Sequence, residues 1–148
     1  MRKRSNRKVR SATGCITLRM PLKDTREVGL VLSYYASIDA FVKGEANGDN
    51  WNTLADALNM SRLMCNDGRC AEYADTVLEA QQAVMDCQAR YMRLGKWGLG
   101  GPEITAIEAA LPVIDAQIHG ATPLYLRSVV ERVQAAVSKG DVLTREAA

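Results

Sequence analysis

Six cations fall within the first ten residues of the chain: Arg2, Lys3, Arg4, Arg7, Lys8 and Arg10, with no acid among them. Such a density suits phosphate neutralisation, which releases condensed counterions and requires no prior fold. The same composition would serve a solubilising terminus, anionic lipid or an acidic protein. A second grouping is Arg90, Tyr91, Arg93, Lys96 and Trp97, with glycines at 95, 98, 100 and 101. Cations beside aromatics suit unpaired bases or a protein hot spot. The competing reading is structural: Trp97 closes a core, while Arg90, Arg93 and Lys96 complement the negative end of a helix. A phosphate loop is excluded by order, since its lysine follows the glycines and Lys96 precedes most of them.

The remaining reactive groups give little chemistry. Cys65 and Cys70 flank the turn Asn66-Asp67-Gly68 and can approach one another, but zinc needs further ligands. Cys87 lies 17 residues beyond Cys70, which on one helix is about 25 Å. With Cys15 the thiols number four. No secretion signal accompanies them, so all four are expected to be reduced. His119 is the only histidine, and it reads as a contact at a helix end. The carboxylates Asp24/Glu27, Glu72/Asp75/Glu79 and Glu103/Asp115 read as caps and solvated helix faces. No nucleophile–base pairing stands out. The expectation is a protein that is not an enzyme, with no cofactor and no metal.

These groups must be positioned by helices. A length of 148 residues suits one domain. With 47% hydrophobic and only 5% aromatic residues, aliphatic side chains must fill the core. No apolar run reaches the roughly 18 residues a membrane span needs. The chain divides into a basic, mostly disordered arm (1–20), a helical bundle (21–140) and a frayed tail (141–148). It carries 19 basic and 17 acidic residues. Without the six arm cations, residues 11–148 keep 13 basic against 17 acidic, a net −4.

Residues 15–20 alternate loosely and could pack in extended form on the body, ending at Pro21. The first helix is predicted from Asp24, with Glu27 completing a capping-box pair, to the cap at Gly44. Its main stripe is Val28, Val31, Tyr35, Ile38 and Val42, with Leu30, Tyr34 and Phe41 beside it. That width suggests a central helix. The second helix spans about Trp51–Asn66, with Trp51, Leu54, Ala55, Leu58, Met64 and Cys65 inward. The third spans about Arg69–Leu94 through Cys70, Tyr73, Val77, Ala80, Val84, Cys87 and Tyr91. The fourth starts near Pro102, follows Ile104, Ile107, Leu111, Ile114 and Ile118, and should kink or break at Pro112. The fifth is capped by Thr122 and Pro123, with Leu126, Val130, Val133 and Val137 inward. The result is an all-α bundle of about five helices.

The run Arg90–Glu103, followed by Leu111 and Ile114-Asp115-Ala116-Gln117 and preceded by Leu54, Ala57, Leu58 and Asn59, resembles a pattern in small uncharacterised helical proteins of proteobacterial phages and plasmids. The resemblance covers roughly residues 50–120. It implies a mobile-element origin and the cytoplasm of a bacterial host, and it carries over no catalytic residues. Where such proteins often have His or Arg before that aspartate, this chain has Ile114. Charge and resemblance together point to a binding module engaging nucleic acid through its arm. The alternative is an inhibitor or adaptor acting on a host defence or transcription complex.

Residues 1–14, with six cations and almost no apolar periodicity, are expected to be disordered in isolation. Their amides should exchange without protection in the free protein; slow exchange across 2–10 would overturn this.

Overall fold

The computed structural model describes residues 25–140, with side chains from residue 29 onward. The basic arm 1–20, its six cations, Cys15 and the tail 141–148 lie outside the described residues. Five α-helices make up the body: α1 (Thr25–Lys43), α2 (Gly48–Asn66), α3 (Ala74–Leu94), α4 (Gly101–His119) and α5 (Pro123–Lys139). One 3-10 turn, Ala71–Tyr73, precedes α3, and there is no strand among the described residues. The chain is the all-α bundle its periodicity predicts.

Local chemistry sets the boundaries. The second helix starts three residues earlier than its apolar stripe suggests, because Asn47 caps it. The Asn47 side chain accepts from the backbone N–H of Asp49 at 2.9 Å and of Asn50 at 3.2 Å. Asn50 Oδ1 accepts in return from the N–H of Asn47 at 2.9 Å, so two asparagines build a reciprocal capping box. The third helix starts later than predicted. Gly68 (φ +86°) and Cys70 (φ +55°) both take left-handed backbone, and this ends any helix begun at Arg69. At the far end Gly95, with φ +67°, closes α3 by donating to Tyr91 O at 2.7 Å. Thr122 caps α5 as expected, accepting from Tyr125 N–H at 3.2 Å.

Pro112 neither breaks nor ends α4, which runs unbroken from Gly101 to His119. The proline strips a partner from the carbonyl of Glu108, but Glu108 is on the exposed side. Solvent can satisfy that group, so the helix continues.

Packing corrects the sequence in three places. The central helix is α2, not α1: it packs against each of the other four. Its buried residues run almost without gap from Leu54 to Ser61. Secondly, α1 turns inward the seam between its two stripes and not the whole main stripe. Tyr34, Ser37, Ile38 and Phe41 are buried, whereas Tyr35 and Val42 are 40% and 55% exposed. Both stripes are apolar, and the positions of α2 and α4 decide which residues of each are covered. Thirdly, Val129 rather than Val130 faces inward on α5. Residues 126, 129, 133 and 137 fit a helical stripe as well as 126, 130, 133 and 137 do. The thread that selects is a separate small core of Met60, Met64, Val129 and Val133 joining α5 to α2. The larger core holds Trp51, Leu54, Leu58, Val77, Val84, Cys87, Ile107, Leu111, Ile114 and Ile118.

Cys65 and Cys87 are free, buried thiols. Cys70 is buried as well, and Cys15 lies outside the described residues.

The adjacent valines give a sharp check on the α5 register. Val129→Ala should cost about 1–3 kcal/mol, and Val130→Ala no more than about 0.5 kcal/mol. Chemical denaturation of both variants measures the difference; equal costs would refute this register.

Candidate functional site

The second sequence grouping divides on folding. Arg90, on the last turn but one of α3, donates to Gly98 O at 2.7 Å and to both carboxylate oxygens of Glu103, at 3.0 and 2.5 Å. Glu103 Oε2 also accepts from the N–H of Gly100 at 2.7 Å, so one carboxylate both caps α4 and holds the α3–α4 loop. Trp97 stacks on Tyr91 with ring centroids 3.9 Å apart and planes within 6°. Its centroid lies 5.9 Å from that of Trp51, and Gly48 at the start of α2 passes directly over its edge. Trp51 is anchored in turn by its indole N–H, which donates to Val84 O at 2.9 Å. Arg90 and Trp97 are therefore committed to internal contacts, while Arg93 and Lys96 stand exposed. The six arm cations lie outside the described residues.

A second polar clamp fixes α5. Arg132 binds Asp67 through two nitrogens, at 2.6 and 3.0 Å. The hydroxyl of Tyr125 donates to the same carboxylate at 2.6 Å. Arg69 lies 4.0 Å over the Tyr125 ring and donates to Gly120 O at 3.0 Å. Arg132 and Tyr125 hold the Asp67 carboxyl below its ordinary range. Glu103 is likewise held down, chiefly by Arg90. Beneath the clamp, the buried Gln117 of α4 donates to Ser61 O at 3.2 Å and Arg69 O at 3.0 Å, with Cys65 Sγ at 3.3 Å.

The reactive groups are placed as structural parts. His119 Nδ1 lies 2.9 Å from both the carbonyl oxygen and Oδ1 of Asp115, one turn back on α4. Burial pushes the Cys65 and Cys87 thiols up, keeping them protonated. Among the described residues, no group of three or more His, Cys, Asp or Glu is arranged to hold a metal ion. None of the helices is long and apolar enough to cross a membrane.

The feature that sequence reasoning missed is a groove of about 480 Å³ running between α1 and α5 over α2. Its apolar walls are Leu30, Met60, Val130, Val133 and Val137, with Ser33, Tyr34, Thr53, Asp56 and Gln134 supplying polar edges. Burial, and then the charge of Asp56, raise the Tyr34 hydroxyl far above its ordinary range, so it is a neutral donor at any physiological pH. Val130 is apolar, and periodicity alone places it in the core. Its place on a groove wall follows from the one-residue shift in α5. Comparisons with protein-family models, with curated proteins and with solved structures return no match for this chain.

The two depressed carboxylates make stability pH-dependent in a defined direction. A lowered folded pKa gives stabilisation that is complete above the ordinary carboxylate range near 4 and lost as pH falls through the folded value. Thermal stability should therefore hold from neutral pH down to about 4–5 and fall below it. Glu103→Gln should cost about 1–2 kcal/mol at pH 7 and flatten part of that acid limb. Parallel pH profiles for variant and wild type would refute the role of Glu103.

Proposed function

We propose that the chain is a non-enzymatic binding module, of the phage- or plasmid-borne kind that residues 50–120 resemble, and that it engages nucleic acid through its basic arm in the cytoplasm of a bacterial host. The observation that carries this reading is the separation of charge. The first ten residues bring six cations and no acid, whereas residues 25–140 hold ten basic and fourteen acidic side chains. Several of those ten are occupied internally: Lys43 by Asp39, Arg90 by Glu103, Arg127 by Glu131 and Arg132 by Asp67. A phosphate backbone approaching the helical body meets a net negative charge, and one approaching the arm meets six cations.

The groove between α1 and α5 favours a second reading, an inhibitor or adaptor for a host defence or transcription complex. An amphipathic helix of the partner would lay its apolar face along Leu30, Met60, Val130 and Val133.

Fluorescence polarisation with duplex and single-stranded DNA at two salt concentrations separates the two. Four to six phosphate contacts give a log affinity that falls with log salt at a slope of about −3 to −5. Deleting residues 1–10 should remove most of that slope. Equal affinity with and without the arm would discard the arm reading, and no binding in either would put the adaptor first.

A further inference from the structure

α3 carries one apolar stripe that stands exposed among the described residues. Leu78, Met85 and Met92 are 45%, 48% and 64% exposed, and they recur every seven residues. That interval is the spacing of a coiled-coil seam. Gln82 and Ala89, also exposed, lie beside them on the same face at four-residue spacing. Flexible thioethers fill irregular contacts well, so two methionines in a three-residue stripe suit an interface.

The charges beside the stripe are polarised along the helix. Asp75 and Glu79 are exposed at its N-terminal end; Arg93 is exposed at its C-terminal end, with Lys96 just beyond. At 100° per residue, Asp75, Glu79 and Arg93 fall on the same flank of the stripe.

We propose that the protein self-associates through this face, as a two-fold dimer in which two copies of α3 pack antiparallel about an axis at Met85. In that register Met85 meets its own copy, and Leu78 meets Met92 of the other chain. An antiparallel pair brings like flanks together, so the acidic end of one α3 lies along the basic end of the other. Glu79 falls two residues, about 3 Å along the axis, from the level of Arg93 in the second copy. Asp75 falls equally close to that level on its other side, and one residue from that of Lys96. The two-fold makes each of these pairings twice. Parallel pairing would instead bring unlike flanks together and leave Asp75, Glu79 and Arg93 of each copy on opposite sides of the contact, without these pairings. One like-charge approach remains, between the two copies of Asp86 near the axis, and there Gln82 Nε2 donates to Asp86 at 2.8 Å. Because the stripe lies on the far side of α3 from its buried face, the contact needs no change in the fold.

Sedimentation of the full chain over a range of micromolar concentrations tests this, with the expected mass rising towards twice 16.2 kDa. Met85→Glu sets two carboxylates against one another at the axis and should weaken association about a hundredfold or more. Its melting curve should match that of wild type at concentrations where both are monomeric, since the site is exposed. Asp75→Lys with Glu79→Lys should weaken the dimer, and adding Arg93→Glu and Lys96→Glu should restore it, because the full exchange reverses every charge pairing of the antiparallel register. Leu32→Glu, on the exposed side of α1, should leave the mass unchanged. A monomer at every concentration, a dimer indifferent to Met85→Glu, or a full four-residue swap that fails to restore association would each overturn the proposal.

Discussion

The fold depends on the packing of α2 against all four of the other helices. A helix enclosed by four others cannot present large side chains in every direction, because neighbouring backbones must come within packing distance. The sequence of α2 meets this with small residues between its large ones: Ala55, Ala57 and Ser61 are buried alongside Trp51, Leu54 and Leu58. Enclosure also traps polar groups, which must then find partners inside. Asn59 accepts from the Gln81 amide of α3 at 3.0 Å, and the carbonyl of Ser61 accepts from Gln117 of α4. These two bonds are buried, so an apolar helix slipped in register would leave their partners unsatisfied. They fix how α3 and α4 sit against α2, where packing alone would tolerate several arrangements.

Around that axis the chain is tied at its two ends by different means. At the start of α2 the tie is aromatic, through Trp51, Trp97 and Tyr91, with the Arg90–Glu103 pair holding the adjoining loop. At the end of α2 it is ionic, through Asp67, Arg132 and Tyr125. Both ion pairs are only partly exposed, so water and salt weaken them less than the surface pairs Lys43–Asp39 and Arg127–Glu131. α5 has the smallest share of the core, resting on Met60 and Met64 and on the Asp67 clamp. It stands away from α1, and that separation is what opens the groove over α2.

This economy bears on function. Arg90, which looked available in the sequence, holds a loop, and an indole that looked like a stacking platform is covered by Tyr91. Six of the nineteen cations of the chain precede residue 11, while the described body offers apolar surface: the groove, and the stripe of Leu78, Met85 and Met92.

Helix number, the inward faces of α2 and α4 and the glycine and threonine caps were legible in the sequence, because each follows from side-chain periodicity or from backbone chemistry within one turn. Charge segregation was legible for the same reason: it is a property of composition. The tertiary structure alone decided which part of two apolar stripes on α1 turned inward, whether Val129 or Val130 faced the core, and that α2 rather than α1 took the centre. Periodicity gives the angle of a stripe around its own helix axis and carries no information on where neighbouring axes lie, so two stripes of similar hydrophobicity cannot be ranked without them. The roles of Arg90, Gln117 and Asp67 were hidden likewise, since their partners are 8 to 65 residues away in the chain, and only packing brings those distances to a hydrogen bond.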